Sequence, residues 1–316
     1  MREIGGYIEL DKYNLPMLHE NAIALNCGRN ALGYLIRAKN IKKILLPKFL
    51  CDSVVNLCKR EKVEVKYYSI SNDFLPKDIV VSDDEWLYIV NYYGQISNEK
   101  ISEYATKYKN IIVDNAQAYF QEHLENIDTL YTCRKFFGVP DGAFLYTNKE
   151  IEENLIQDES FERMRFLLGR FERTASEFYE EYKNNNNIFT NEQIKYMSKL
   201  TKNLLHAIDY DFIRSHRTQN FIILHEALKN KNNLEISVAK GAFMYPFYIE
   251  NGSEIRKLLQ NKKIYIPVLW PEILETCHNS ELEYDMAKNI LSLPVDQRYT
   301  EEDMKYIIEE VLKCIS

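Results

Sequence analysis

The stretch IIVDNAQAYFQEHLENIDTLYTCRKFFGVPDGAFLYT, residues 111–147, constrains the fold more than any other part of the chain. It holds three short apolar, β-branched or aromatic runs, at 111–113, 129–131 and 143–146, and Gly138, Pro140 and Gly142 break the chain before the third. Runs this short between turn residues read as buried strands of an α/β sheet. Asp114 closes the first run and Lys135 follows the second. Open α/β sheets place their ligands at the carboxyl ends of strands, so an acid and an amine at successive ends can face one pocket. Such a pocket suits a cofactor needing an anion at one end and an amine at the other.

Upstream the same alternation continues. Gly28 punctuates AIALNCGRNALGYLIRAKN, and Ala31, Leu32, Leu35 and Ile36 then recur at helical spacing. Cys27, Gly28, Arg29 and Asn30 therefore form a turn opening a helix, where free N–H groups can hold an anion. Residues 44–46 read as a strand, FLCDSVVNLCKREK as a helix, and 63–70 and 86–92 as further strands. A helix over 98–108 leads into the 111–113 strand. Strand–helix–strand order predicts a mostly parallel sheet sandwiched by helices. Residues 1–20 are polar, with Gly5, Gly6 and Pro16, and read as a surface arm.

From 149 to about 229 the pattern turns helical and charged, with a loop expected at the asparagine run 184–187. Arg163, Arg165, Arg170 and Arg173 form a cationic face best explained by pairing with acids such as Glu162 and Glu172. Residues 234–249, 263–269 and 290–294 read as strands, and 301–315 as a final helix capped by Thr300. The division is a large α/β domain, 1–220, and a smaller α+β C-terminal domain, 221–316.

A net charge of −7 and short, interrupted basic clusters argue against nucleic-acid binding. The six cysteines form no CxxC pair, so no metal site is expected. There is neither a signal-peptide core nor an apolar run of membrane-spanning length, so a cytoplasmic location with reduced thiols is expected. GxGxxG, GxxxxGK[ST] and GxSxG are all missing, which disfavours classical dinucleotide sites, P-loops and α/β hydrolases.

Each candidate residue has a plain reading: Lys135 a solvated surface lysine, Asp114 a cap or surface acid, Gln117 a helix residue. Against it, Phe136 and Phe137 would desolvate the Lys135 amine and Arg134 would add a neighbouring cation, both favouring the free base.

Five segments in order, CGRNAL, NYYGQ, VDNAQA, CRKFFGVPDGA and LSLPVDQRYTEEDM, resemble the DegT family of sugar aminotransferases, which are pyridoxal-phosphate enzymes of fold type I. The resemblance implies that Lys135 matches the lysine that carries the cofactor, Asp114 the acid on its ring nitrogen, and Gln117 the side chain on its ring hydroxyl. It places Gly28, Arg29 and Asn30 at the cofactor phosphate and leaves open whether Tyr92 or Tyr93 lies against the ring. The family's serine five residues before the lysine is Leu130 here, and Thr132 is the nearest hydroxyl. The implied activity is transfer of an amino group, from glutamate, to a nucleotide-linked keto-sugar in surface-polysaccharide or secondary-metabolite sugar biosynthesis, by a homodimer. Sugar-dehydrating relatives carry histidine where this chain has Lys135. The alternative is a cofactor-binding relative that has lost turnover and serves as a partner or regulatory subunit.

Overall fold

The computed structural model describes residues 4–315. In chain order the strands are β1 (Ile23–Leu25), β2 (Lys43–Pro47), β3 (Glu64–Ile70), β4 (Pro76–Lys77), β5 (Trp86–Val90), β6 (Ile111–Asp114), β7 (Asp128–Thr132), β8 (Ala143–Tyr146), β9 (Met244–Tyr248) and β10 (Ile290–Pro294). The helices are α1 (Gly28–Ala38), α2 (Asp52–Arg60), α3 (Asn98–Lys107), α4 (Arg165–Glu172), α5 (Tyr179–Ile188), α6 (Lys199–Leu205), α7 (Tyr210–Leu228), α8 (Gly252–Asn261), α9 (Ile273–Thr276), α10 (Leu282–Asn289) and α11 (Glu301–Cys314).

The first eight strands form one sheet, in the order β1-β8-β7-β6-β5-β2-β3-β4. Its centre, β7-β6-β5-β2-β3, is parallel, and β8, β1 and β4 add antiparallel edges. The central strands are near-continuous apolar runs (ILL, LYIV, IIV) because helices cover both faces of a parallel sheet. This is the mostly parallel α/β sheet the sequence predicts. β9 and β10 pair antiparallel as a separate two-stranded sheet. Around them α7, α8 and α11 bury Phe221, Leu224, Leu259, Met304 and Val311 in a core of their own. Thr300 closes a capping box on Asp303 at the start of α11.

Four expectations fail, each for a tertiary reason. The asparagine run lies inside α5, because Asn185 and Asn186 bond to other segments and packing overrides their weak helix propensity. Residues 263–269 form no strand: Ile264 and Ile266 alternate into the second core, but no ladder lies beside them. Of 234–249, only β9 pairs, since a turn at Gly241 (φ 64°) interrupts the run. Residues 149–160 contain no helix. Residues 4–20 do form an exposed arm, tied down where Leu15 N–H donates to the His206 carbonyl (2.9 Å) and where Met17 and His19 are buried.

Candidate active site

β6 and β7 run parallel with Asp114 opposite Leu130, so the chain leaves both strands at the same edge of the sheet. Asp114 is buried, and each oxygen accepts one hydrogen bond: Oδ1 from Ala116 N–H (2.8 Å) and Oδ2 from the Tyr88 hydroxyl (2.7 Å). Burial raises its pKa; the charge of Lys135 and those two donors act in the opposite direction. Lys135 and Asp114 are thus brought within electrostatic reach across adjacent strand ends.

Gln117, also buried, accepts the Tyr93 N–H on Oε1 (2.8 Å). A backbone N–H can only meet the carbonyl end of an amide, so Gln117 Nε2 is turned away with its two donors. Tyr93 has φ 54°, a left-handed conformation costly for a bulky residue, and its hydroxyl meets Ser292 Oγ on β10 at 2.9 Å. Tyr92 donates to the Phe49 carbonyl and packs among Phe49, Phe74 and Trp270. Both tyrosines are 1 % exposed. A ring that lies against a ligand must show it an open face, so neither Tyr92 nor Tyr93 meets the expectation of a ring-stacking residue.

At the start of α1, Cys27 Sγ accepts the Asn30 N–H (3.4 Å), leaving Gly28 as the small residue on the first turn. A methyl group added to Gly28 would lie 3.7 Å from Thr132 Cβ, so this helix start and the end of β7 adjoin. Arg29 and Asn30 contribute to the turn through their backbone. The Arg29 side chain donates to the Phe189 carbonyl (2.6 Å), and that of Asn30 to Asn26 Oδ1 (2.9 Å) and the Gln193 carbonyl (2.8 Å). Leu130 is buried in β7, and Thr132 is the hydroxyl at its end.

Lys135 occupies a loop between β7 and β8. Its side chain is exposed, with Nζ 5.4 Å from the centre of the Phe243 ring. Phe136 and Phe137 do not desolvate it: they are buried behind the loop with Tyr119, Tyr131, Phe144 and Tyr210. Arg134 turns aside to Asn186 and lies over the Phe189 ring at 4.8 Å. The Phe136 carbonyl accepts from both Arg217 Nη2 (3.2 Å) and Gln297 Nε2 (2.8 Å). Arg217, 1 % exposed, also donates to Gln297 Oε1 (2.7 Å) and to the Ala242 carbonyl (2.9 Å). Burial lowers its pKa to about 10. Beyond the lysine, Asn185 Nδ2 donates to the Pro140 carbonyl (2.9 Å), and Asp141 holds Ser198, the N-cap of α6, by accepting from its N–H (2.8 Å) and Oγ (2.7 Å). Gly142 has φ 115°, and a methyl there would stand 3.1 Å from Cys133 Sγ and from Thr201 Cγ2, so only glycine fits.

Tyr88, Asn185, Arg217, Phe243 and Gln297 escaped the sequence reading. Only Tyr88 left a signal there, since it shares the parity of Val90 along β5. The cationic face resolves into ion pairs, Arg163–Asp158, Arg165–Glu181 and Arg173–Glu177, with partners other than Glu162 and Glu172. A cavity of about 310 Å³ lined by Ser69, Ser71, Lys77 and Glu283 lies beside β3 and β4 and contains none of these residues. Chemistry rather than volume marks the site. Among the described residues no cluster could hold a metal ion, and no helix is long and apolar enough to cross a membrane.

No protein-family model and no curated protein matches the sequence. Solved structures match the fold. A DegT DnrJ EryC1 StrS aminotransferase from Brucella abortus superposes with a TM-score of 0.62 at 15% identity, over 92% of this chain and 85% of that one. Sugar aminotransferase CalS13 from Micromonospora echinospora gives 0.61 at 14% identity, over 92% and 87%. NtdA from Bacillus subtilis, with bound cofactor PMP, gives 0.66 at 14% identity, over 92% and 72%. The parallel sheet, the small antiparallel sheet beyond it and these superpositions together give the chain the fold of the DegT-type sugar aminotransferases, fold type I.

Proposed function

We propose that this chain is a pyridoxal-phosphate-dependent aminotransferase that passes an amino group, drawn from glutamate, to a nucleotide-linked keto-sugar. The observation that carries the reading is geometric: buried Asp114 ends β6 with one donor on each oxygen, and Lys135 follows the end of the adjacent, parallel β7. The residues present fit the cofactor. Asp114, with one donor on each oxygen, is an anion for a protonated ring nitrogen; Gln117 Nε2 supplies donors for a ring hydroxyl; the Gly28 turn and the Thr132 hydroxyl suit a phosphate. When bound, pyridoxal phosphate supplies an electron sink. Lys135 is the amine that carries it and the general base and acid that moves the proton at the donor carbon. Its side chain is exposed, with Nζ over the Phe243 ring.

The assembly proposed is a homodimer, supported by exposed apolar side chains on α4 and the turn before it: Phe161 (67%), Leu168 (57%) and Phe171 (91%). The experiment is reduction with borohydride of protein incubated with pyridoxal phosphate, followed by peptide mapping. The label is expected on Lys135, and a Lys135→Ala protein that still formed the reduced adduct would sink the assignment. A panel of nucleotide-linked keto-sugars offered to the pyridoxamine-loaded protein then separates an enzyme from a relative that binds without turnover.

A further inference from the structure

Tyr88 lies on β5, two residues before its end. β5 and β6 are parallel, with Tyr88 opposite Ile112 and Val90 opposite Asp114. Side chains alternate along a strand, so Tyr88 and Asp114 stand on one face, one pleat apart. From there the Tyr88 hydroxyl donates to Asp114 Oδ2 at 2.7 Å, with Tyr88 1 % and Asp114 8 % exposed. The Tyr88 backbone is fixed in turn: its carbonyl accepts the Tyr68 hydroxyl at 2.7 Å. Phenylalanine would fill the same volume without a buried hydroxyl to satisfy, so core packing alone does not call for tyrosine here. The hydroxyl is spent on the carboxylate. Among the described residues, Tyr88 on Oδ2 and Ala116 N–H on Oδ1 are the donors that hold Asp114, and a donor on each oxygen favours the charged form.

We propose that Tyr88 is a positioning residue for the reaction assigned above: its hydroxyl holds Asp114 ionised and oriented to receive the protonated ring nitrogen of the cofactor. The inference rests on that assignment. It concerns an interaction that vanishes when the ring nitrogen does, and this gives the test. Wild-type and Tyr88→Phe proteins are loaded with pyridoxal phosphate and with an analogue bearing carbon in place of the ring nitrogen. Binding is followed by fluorescence titration, and the absorption of the bound chromophore is recorded against pH.

Tyr88→Phe is expected to weaken pyridoxal phosphate roughly tenfold, the worth of one charge-assisted hydrogen bond. It also displaces the pH midpoint of the chromophore, whereas the analogue binds both proteins alike. Adding Tyr88→Phe to an Asp114→Asn background changes nothing further, since both substitutions act through one contact. Equal losses for cofactor and analogue, additive effects in the double variant, or an unmoved midpoint would each reduce Tyr88 to packing and overturn the proposal. Failure of the wild-type protein to bind either compound is a different result: it overturns the reading of the site itself, and this inference with it.

Discussion

Asp114 and Lys135 follow adjacent, parallel strands, yet the chain holds them in place by unlike means. Asp114 ends a strand paired on both sides, and its contacts, Tyr88 and Ala116, come from the neighbouring strand and its own turn. Lys135 stands in a loop fixed by residues far along the sequence: Asn185 on α5, Arg217 on α7, and Gln297 before α11. The difference teaches how such a site divides its labour. The carboxylate is built into the sheet, where register sets its aim and its two hydrogen-bond donors oppose the burial that disfavours its charge. The amine, which the proposed function would have move a proton, sits on a loop whose backbone is tied at intervals while its side chain stays exposed.

The largest way to break this contrast is to remove the tie at Arg217. Arg217→Met takes a charged donor from the Phe136 and Ala242 carbonyls and from Gln297. The expected cost is about 3–4 kcal/mol, from two or more charge-assisted bonds lost inside the core. Hydrogen exchange should rise at residues 133–142 well before it rises at residues 111–114. Simultaneous loss of protection in both segments would mean that the two sides are one cooperative unit, and the contrast would go.

Acid provides a second probe. His19 is buried in the aromatic core behind the lysine loop, stacked on Tyr131 (4.1 Å between ring centres), with Nε2 3.0 Å from the Tyr119 carbonyl. Burial lowers its pKa from 6.5 to about 4, with the Tyr119 carbonyl opposing and His123 adding a smaller lowering. The unfolded chain therefore takes up this proton first as pH falls. Stability that is complete above pH 6.5 is lost as the pH drops toward 4, by about 3 kcal/mol in all. Denaturant midpoints across that window should show the slope, and His19→Gln should flatten it. An unchanged slope in His19→Gln would assign the acid sensitivity to other groups.

These experiments bear on what the sequence could reveal. The β5, β6 and β7 runs and the positions of Asp114 and Lys135 at their ends were legible because a parallel sheet buries continuous apolar stretches. The residues that hold the lysine loop were not. Arg217 sits in a charged helix and looks like a surface arginine until the fold brings Phe136 against it. Phe136 and Phe137 looked like a desolvating pair for Lys135, but a loop, unlike a strand, has no fixed parity, and they turned into the core behind it. Ile264 and Ile266 alternate like strand residues because alternation reports a buried face, not a hydrogen-bonded partner. Asn185 and Asn186 read as loop residues because propensity is local and their bonds to Pro140 and Arg134 are not.

Asn185 sharpens the comparison with the smallest expected effect. Its Nδ2 donates to the Pro140 carbonyl, two residues before Gly142, whose φ of 115° only glycine allows, while its Oδ1 is buried without a partner. Asn185→Ala removes a useful donor and an unsatisfied acceptor together, so the two terms partly offset and the net cost should be about 1 kcal/mol. Its consequence lies in the loop. With Pro140 released, the 133–142 segment should open more often, raising its rate of proteolytic cleavage by roughly fivefold for that free energy when opening is fast relative to cleavage. The Asp114 side of the proposed cofactor site does not involve this bond, so the fluorescence of added pyridoxal phosphate should be unchanged. If Asn185→Ala altered that fluorescence as much as the cleavage rate, the loop's ties would reach the acid side as well, and the sheet would no longer be setting the anion by itself.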